Sequence, residues 1–116
     1  MRKRYEEFVR DLLRFVEVAA GEAAGDCIYP EDVLYSAAAR KTIEHLKNQA
    51  RELLDRAELM GLRRTAEKLR GMEATLIALA GCRERLDCVS VVLCFDDLAD
   101  LQYQLLLDLA EYLDRR

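Results

Sequence analysis

The segment from Cys88 to Asp114 has the sequence CVSVVLCFDDLADLQYQLLLDLAEYLD. Its leucines recur at steps of three and four through Leu98, Leu101 and Leu105, which is the period of an amphipathic helix. The β-branched residues at its start favour a strand by propensity, but a lone strand would have no partner. We therefore predict one helix over this whole segment, with its valines either buried in the first turns or forming the contact of a dimer.

The same period of apolar residues predicts three helices before this one. Gly21 and Gly61 are expected to end the first two patterns, and Pro30 supplies the fixed φ of a helix entrance. Because consecutive helices with short loops bury their apolar stripes against each other, we predict an all-α, antiparallel (up-down) four-helix bundle that forms a single domain over 1–116. The predicted helices span 2–20, 31–60, 62–80 and 88–114.

Composition limits the classes of function. The chain is 52% hydrophobic and 34% charged, a balance that excludes a disordered tail. Its formal net charge of −4 argues against a dedicated nucleic-acid binder. The charged start lacks the apolar core of a signal peptide, and no uncharged stretch in the second half is long enough to cross a bilayer. We therefore expect a cytoplasmic protein without a membrane partner.

The predicted helices differ in length. At 1.5 Å per residue, helix two would be roughly 45 Å long and helix three about 28 Å long. The excess apolar surface of helix two then needs either a kink near Asn48 or a second copy of the chain, and we favour a homodimer with contacts on helices two and four. The acidic, base-free segment 87–114 and the basic segment 40–70 would attract each other within or between chains.

The cysteines are expected to gather at one end of such a bundle, because its first and third loops lie at the same pole. The chemistry stays open between disulfides, buried thiols and, with less support from the spacing, a zinc site. A scarcity of Asn, Gln and Ser beside abundant Arg and Glu is typical of thermophile proteins, some of which keep intracellular disulfides. The disulfide candidates are Cys27, Cys82, Cys88 and Cys94.

A local resemblance covers about 44 residues from Gly71 to Asp114. The motifs Gly71-Met72-Glu73-Ala74-Thr75, Cys82-Arg83-Glu84-Arg85-Leu86 and Asp97-Leu98-Ala99-Asp100-Leu101-Gln102-Tyr103 resemble the helical pair of the MazG and phosphoribosyl-ATP pyrophosphohydrolase families. The resemblance implies an all-α enzyme in which carboxylates hold magnesium against nucleotide phosphates. Carried over by position, Glu73, Asp97 and Asp100 match that ligand set. Met72 and Leu76 stand where two further glutamates would be.

Two other groups of residues suggest binding to phosphates. Arg40 and His45 have the Arg-x4-His spacing that resembles the motif of HEPN ribonucleases, which implies a lesser alternative function in association with RNA. Near Gly61, basic side chains at the start of a helix suit an anion. The anion-binding candidates are Arg63, Arg64, Lys68 and Arg70.

No nucleophile paired with a base and no glycine-rich phosphate loop occurs in the sequence. We therefore expect a protein–protein interaction or assembly subunit that forms a homodimer, without catalysis and without a cofactor. The alternative is a degenerate magnesium-dependent nucleotide pyrophosphohydrolase that uses the three carboxylates named above.

Overall fold

A computed structural model of the chain describes residues 2–26, 35–85 and 88–114. These residues form four helices and no strand, so the predicted all-α class is confirmed and the valine-rich start of the last segment is helical. The helices are α1 (Arg2–Asp26), α2 (Ala37–Leu59), α3 (Arg63–Arg85) and α4 (Cys88–Asp114).

Each helix packs antiparallel to two neighbours, which gives the predicted up-down bundle. The start of α1 lies beside the end of α2, where Asp11 Oδ2 and Arg56 Nη1 are 2.8 Å apart. The middle of α3 meets α4 where Gly71 faces Leu101. The ring closes between α4 and α1, where the Gln102 Nε2 donates to the Val16 carbonyl oxygen at 3.1 Å.

Two predicted helix ends are wrong. Gly21 and Gly81 lie inside α1 and α3, which run on to Asp26 and Arg85. A glycine within a helix costs only about 1 kcal/mol relative to alanine, and packing of the apolar face compensates for it. Gly61 does end its helix, because its φ of 71° is the left-handed conformation that a sharp turn requires.

The predicted start of helix two is also wrong in part. Ser36 is not helical and caps α2, with its side-chain oxygen accepting a hydrogen bond from the Ala39 amide at 3.2 Å. The predicted entrance at Pro30 and residues 31–34 lie outside the described residues. Since α2 and α3 each contain 23 residues, the predicted length mismatch does not exist between them.

The core is one continuous cluster to which all four helices contribute. Its largest fully buried side chains include Phe8, Leu12, Leu54, Leu69 and Leu105. Arg56 extends over the Phe8 ring at 5.5 Å and closes the core on the α1–α2 side. Packing of this kind covers one face of each helix and leaves the opposite face in water.

Substitution of Gly61 tests the role of its backbone. A Cβ at this position would meet no atom within 4 Å, so a side chain here destabilises the fold only through the left-handed φ of the backbone. We expect Gly61→Ala to lower the free energy of unfolding by about 1 kcal/mol in urea denaturation, and Gly61→Asn to lower it less. An Ala variant as stable as the native chain would contradict the observed turn.

Candidate functional site

The solvent-facing side of α4 is unusually apolar. Tyr103 and Leu107 are 61% and 54% exposed, although they lie near the middle of the longest helix. Two acidic residues, Asp96 and Asp100, interrupt the apolar side chains towards the start of the helix. We call this surface the α4 outer face. Its apolar members are Val89, Val92, Leu93, Ala99, Tyr103, Leu106, Leu107, Ala110 and Leu113.

A buried polar cluster lies on the opposite side of the same helix, between α3 and α4. Asp108 is only 2% exposed. Its Oδ1 accepts from Lys68 Nζ at 2.6 Å and its Oδ2 accepts from Thr65 Oγ1 at 2.8 Å. The Thr65 hydroxyl also shares a hydrogen bond with the Tyr112 hydroxyl. Each oxygen of the buried carboxylate therefore has a donor, which is what a charge inside a bundle requires.

Burial raises the pKa of Tyr112 above 10.0, its ordinary value. The hydrogen bond with Thr65 acts in the opposite direction, and the nearby charge of Asp108 adds to the increase. The Tyr112 ring also packs edge-on against Tyr5 of α1, with 5.7 Å between ring centroids. This cluster therefore joins three helices at the pole that contains Gly61.

Sequence reasoning missed this cluster as a unit. The sequence places Lys68 among the anion-binding candidates and gives Thr65 and Asp108 no role. The available signal was Asp108 itself, since it lies between Leu105 and Leu109 on the apolar stripe of α4. A carboxylate at such a position needs a buried partner.

The three carboxylates that matched the hydrolase motif do not form a metal site. Among residues 2–26, 35–85 and 88–114, no group of three or more His, Cys, Asp or Glu side chains is arranged to hold a metal ion. Glu73 faces α2 instead, with its Oε1 3.5 Å from Arg51 Nη1. Asp97 and Asp100 are exposed on α4, and Asp100 accepts a hydrogen bond from Gln104 at 3.0 Å. The geometry therefore gives the magnesium alternative no support.

The four anion-binding candidates are mostly engaged with carboxylates. Arg70 forms an ion pair with Glu58 of α2 at 2.7 Å, and Lys68 belongs to the buried cluster. Arg63 and Arg64 line a cleft of about 320 Å³ at the start of α3. Because Asp108 and Glu111 line the same cleft, its charges are mixed and an anion gains little there.

The four disulfide candidates are described only in part. Cys82 and Cys94 are buried, and both are present as thiols. Cys27 and the side chain of Cys88 lie outside the described residues. In the antiparallel bundle the end of α3, with Cys82, and the first part of α4, with Cys94, share the pole opposite Gly61, and the gathering of all four cysteines stays a prediction.

The two residues of the ribonuclease-like motif lie on the surface. Arg40 and His45 are both exposed on α2. Neither lies on the α4 outer face or in the buried cluster.

Removal of the buried carboxylate tests the polar cluster. Asp108→Ala leaves the Lys68 ammonium and the Thr65 hydroxyl without their acceptor, so we expect the free energy of unfolding to fall by about 2 kcal/mol or more. Asp100→Ala is the matched control on the exposed side of α4 and should change it by less than about 0.5 kcal/mol. Equal effects of the two variants in urea denaturation would contradict the cluster.

Alkaline titration tests the environment of Tyr112. The folded protein holds this phenolic proton more tightly than the unfolded chain, so its contribution to stability is complete below pH 10 and is lost as the pH rises through the folded-state pKa. Ultraviolet titration of tyrosinate should show a late phase that Tyr112→Phe removes and Tyr103→Phe leaves. Persistence of that phase in Tyr112→Phe would assign it to another tyrosine.

Of the described helices, none combines the length and the apolar character needed to span a bilayer.

No protein-family profile, curated protein or solved structure matches the chain. The resemblances to the hydrolase and ribonuclease families therefore stay predictions, and the α4 outer face is the feature that bears on function.

Proposed function

We propose that this protein is a protein–protein interaction or assembly subunit that forms a homodimer through the α4 outer face. The observation that carries the proposal is the concentration of exposed apolar residues on one helix. Ten large hydrophobic side chains of the described residues are exposed, and seven of them belong to α4. Single exposed apolar residues are normal on a monomer, but such a concentration of them along one helix marks a contact.

The spacing on α4 supports helix-to-helix contact. Ala99, Tyr103, Leu107 and Ala110 follow one another at steps of four, four and three, and Leu106 lies three residues after Tyr103, so they form one strip along the helix. The small side chains at the two ends of this set let a second helix approach closely, and Tyr103 between them offers a large amphipathic ring.

The area of the α4 outer face limits the affinity of the proposed dimer. A helix of 27 residues is about 40 Å long, and its exposed strip is roughly 10 Å wide. Contact between two such strips buries roughly 800 Å² in total, below the usual 1,200–2,000 Å² of stable interfaces. The flanks of α3 and α1 must therefore add area, and we propose a dimer with a dissociation constant in the micromolar range.

The proposal places this subunit in the cytoplasm. The buried thiols of Cys82 and Cys94 suit a reducing compartment. The disulfide alternative stays with Cys27 and Cys88, whose pairing a thiol count under denaturing, non-reducing conditions would reveal. A thermophile source would make such a bond compatible with the cytoplasm.

Charge placed on the α4 outer face should break the dimer. We expect the native chain to sediment as a dimer at tens of micromolar, and Leu107→Glu to sediment as a monomer because its carboxylate would lose water at the contact. Ile77→Glu is the matched control, since Ile77 is 53% exposed and lies one turn beyond Glu73, the partner of Arg51 on α2.

The outcome is read by sedimentation equilibrium, with thermal unfolding as a check that both variants fold. A native chain that stays monomeric up to about 1 mM would overturn the proposal. Equal weakening of the dimer by the two variants would remove α4 as its contact surface.

A further inference from the structure

The α4 outer face continues into a cleft between α4 and α1, which we call the α1–α4 cleft. Resting on the proposed function, we infer that the second copy also contacts α1 along this cleft, with Leu13 and Leu113 in the contact, so that α1 supplies most of the flanking area. The interaction surface thus consists of two helices, and its partner is a second copy of this chain.

The α1 side of α4 is apolar. Gln102 marks this side, because its Nε2 donates to the Val16 carbonyl oxygen of α1 at 3.1 Å. Leu106 follows Gln102 by one turn and Leu113 follows Leu106 by two turns, so both lie on the same side. They are 43% and 40% exposed, although they adjoin a neighbouring helix. This side of the α4 outer face therefore has apolar surface that its own bundle does not cover.

The α3 side of α4 is polar over the same turns. Leu101 marks it, because Leu101 faces Gly71 of α3. Asp97 precedes Leu101 by one turn, and Gln104 follows it by three residues and donates to Asp100 at 3.0 Å. A second copy that covered these groups would have to remove their water. The contact therefore gains more from area on the α1 side than from area on the α3 side.

The α1–α4 cleft extends the apolar side of α4 onto α1. Its volume is about 520 Å³, and Leu113 lines it from α4. Val9 and Leu13 line it from α1, where Val9 is buried and Leu13 is partly buried against the core. Because Leu113 belongs both to the cleft and to the α4 outer face, the two form one surface.

The rim of the α1–α4 cleft is polar and carries both signs of charge. Lys3, Glu6 and Arg10 are exposed at this rim. Neighbouring charges of opposite sign give a small charged ligand no net attraction. An apolar floor inside a polar rim is instead the usual arrangement of a protein–protein contact. The cleft therefore fits apolar side chains of a protein.

The area of the contact favours a second copy as the occupant. Contact through the α4 outer face alone buries roughly 800 Å² in total, which is less than stable interfaces need. The part of α1 from Lys3 to Leu13 is about 15 Å long. A strip of it roughly 10 Å wide adds about 300 Å² over two copies, so the total comes close to the lower end of the range for stable interfaces.

Matched charges on the two flanks of α4 test this inference. Leu13→Glu places a carboxylate in the α1–α4 cleft, where a second copy would remove its water, so it should raise the dissociation constant about tenfold or more. Ala74→Glu is the control on α3. Ala74 is exposed and follows Gly71 by three residues, so it lies on the α4 side of α3. The control should raise the dissociation constant less than about threefold in sedimentation equilibrium.

A second variant and a second measurement apply if Leu13→Glu disturbs the bundle. Leu13→Ala adds no charge and should raise the dissociation constant about threefold or more. Thermal unfolding of each variant shows whether it folds. Isotope-filtered NOE spectra of the native chain need no substitution, and they should contain intermolecular NOEs to the methyl groups of Leu13 and Leu113.

The results separate this inference from the proposed function. If Leu107→Glu dissociates the dimer while Leu13→Glu weakens it no more than Ala74→Glu does, the contact is confined to α4 and the inference is wrong. Intermolecular NOEs from Tyr103 without any from Leu13 and Leu113 would also overturn it and leave the α4 contact intact. A native chain that stays monomeric up to about 1 mM would overturn both.

Discussion

The Lys68–Asp108 ion pair determines which side of α4 faces the core. Its 2.6 Å contact lies almost entirely inside the bundle, where an unpaired carboxylate would cost several kcal/mol. Because consecutive helix residues are about 100° apart, turning Asp108 towards α3 turns Leu107 away from the core. The polar cluster on one side of the helix and the apolar surface on the other are therefore two results of a single rotation.

This coupling explains how an apolar face comes to lie in water. The core already receives Val91, Cys94, Leu105, Leu109 and Tyr112 from α4, on the side of the helix that faces α3 and α1. A rotation that buried Tyr103 and Leu107 would expose these residues and leave Lys68 without its partner. The bundle therefore buries one side of α4 and leaves the apolar side chains of the outer face in water.

Periodicity alone predicts the class and the direction of the helices because each helix has one dominant apolar stripe. The bounds of α4 agree with their prediction, since no glycine or proline interrupts 88–114. The predicted ends of α1 and α3 are wrong because a glycine permits a helix to end but does not force it to. Of the described glycines, Gly61 has the positive φ that marks a turn. The length mismatch that predicts a dimer is absent between α2 and α3, and the proposed dimer depends on the second apolar side of α4.

The basic residues of α3 show what sequence spacing alone does not predict. Arg64, Lys68 and Arg70 have the same charge and lie on the same helix, yet Arg70 pairs with α2, Lys68 is buried against α4 and Arg64 lies exposed beside two carboxylates of α4. These roles depend on angles around α3 relative to two neighbours. Sequence spacing fixes the angles but not which neighbour lies at each one, so the basic residues could not be separated before the packing was known.

The central claim is that a second copy covers the α4 outer face, and an isotope-filtered NOE experiment tests it most directly. A mixture of ¹³C-labelled and unlabelled chains at about 1 mM reports only contacts between copies. The account predicts intermolecular NOEs from the Tyr103 ring to the methyl groups of Ala99 and Leu107. Their absence in a sample whose intramolecular Tyr5–Tyr112 contacts are present would contradict it.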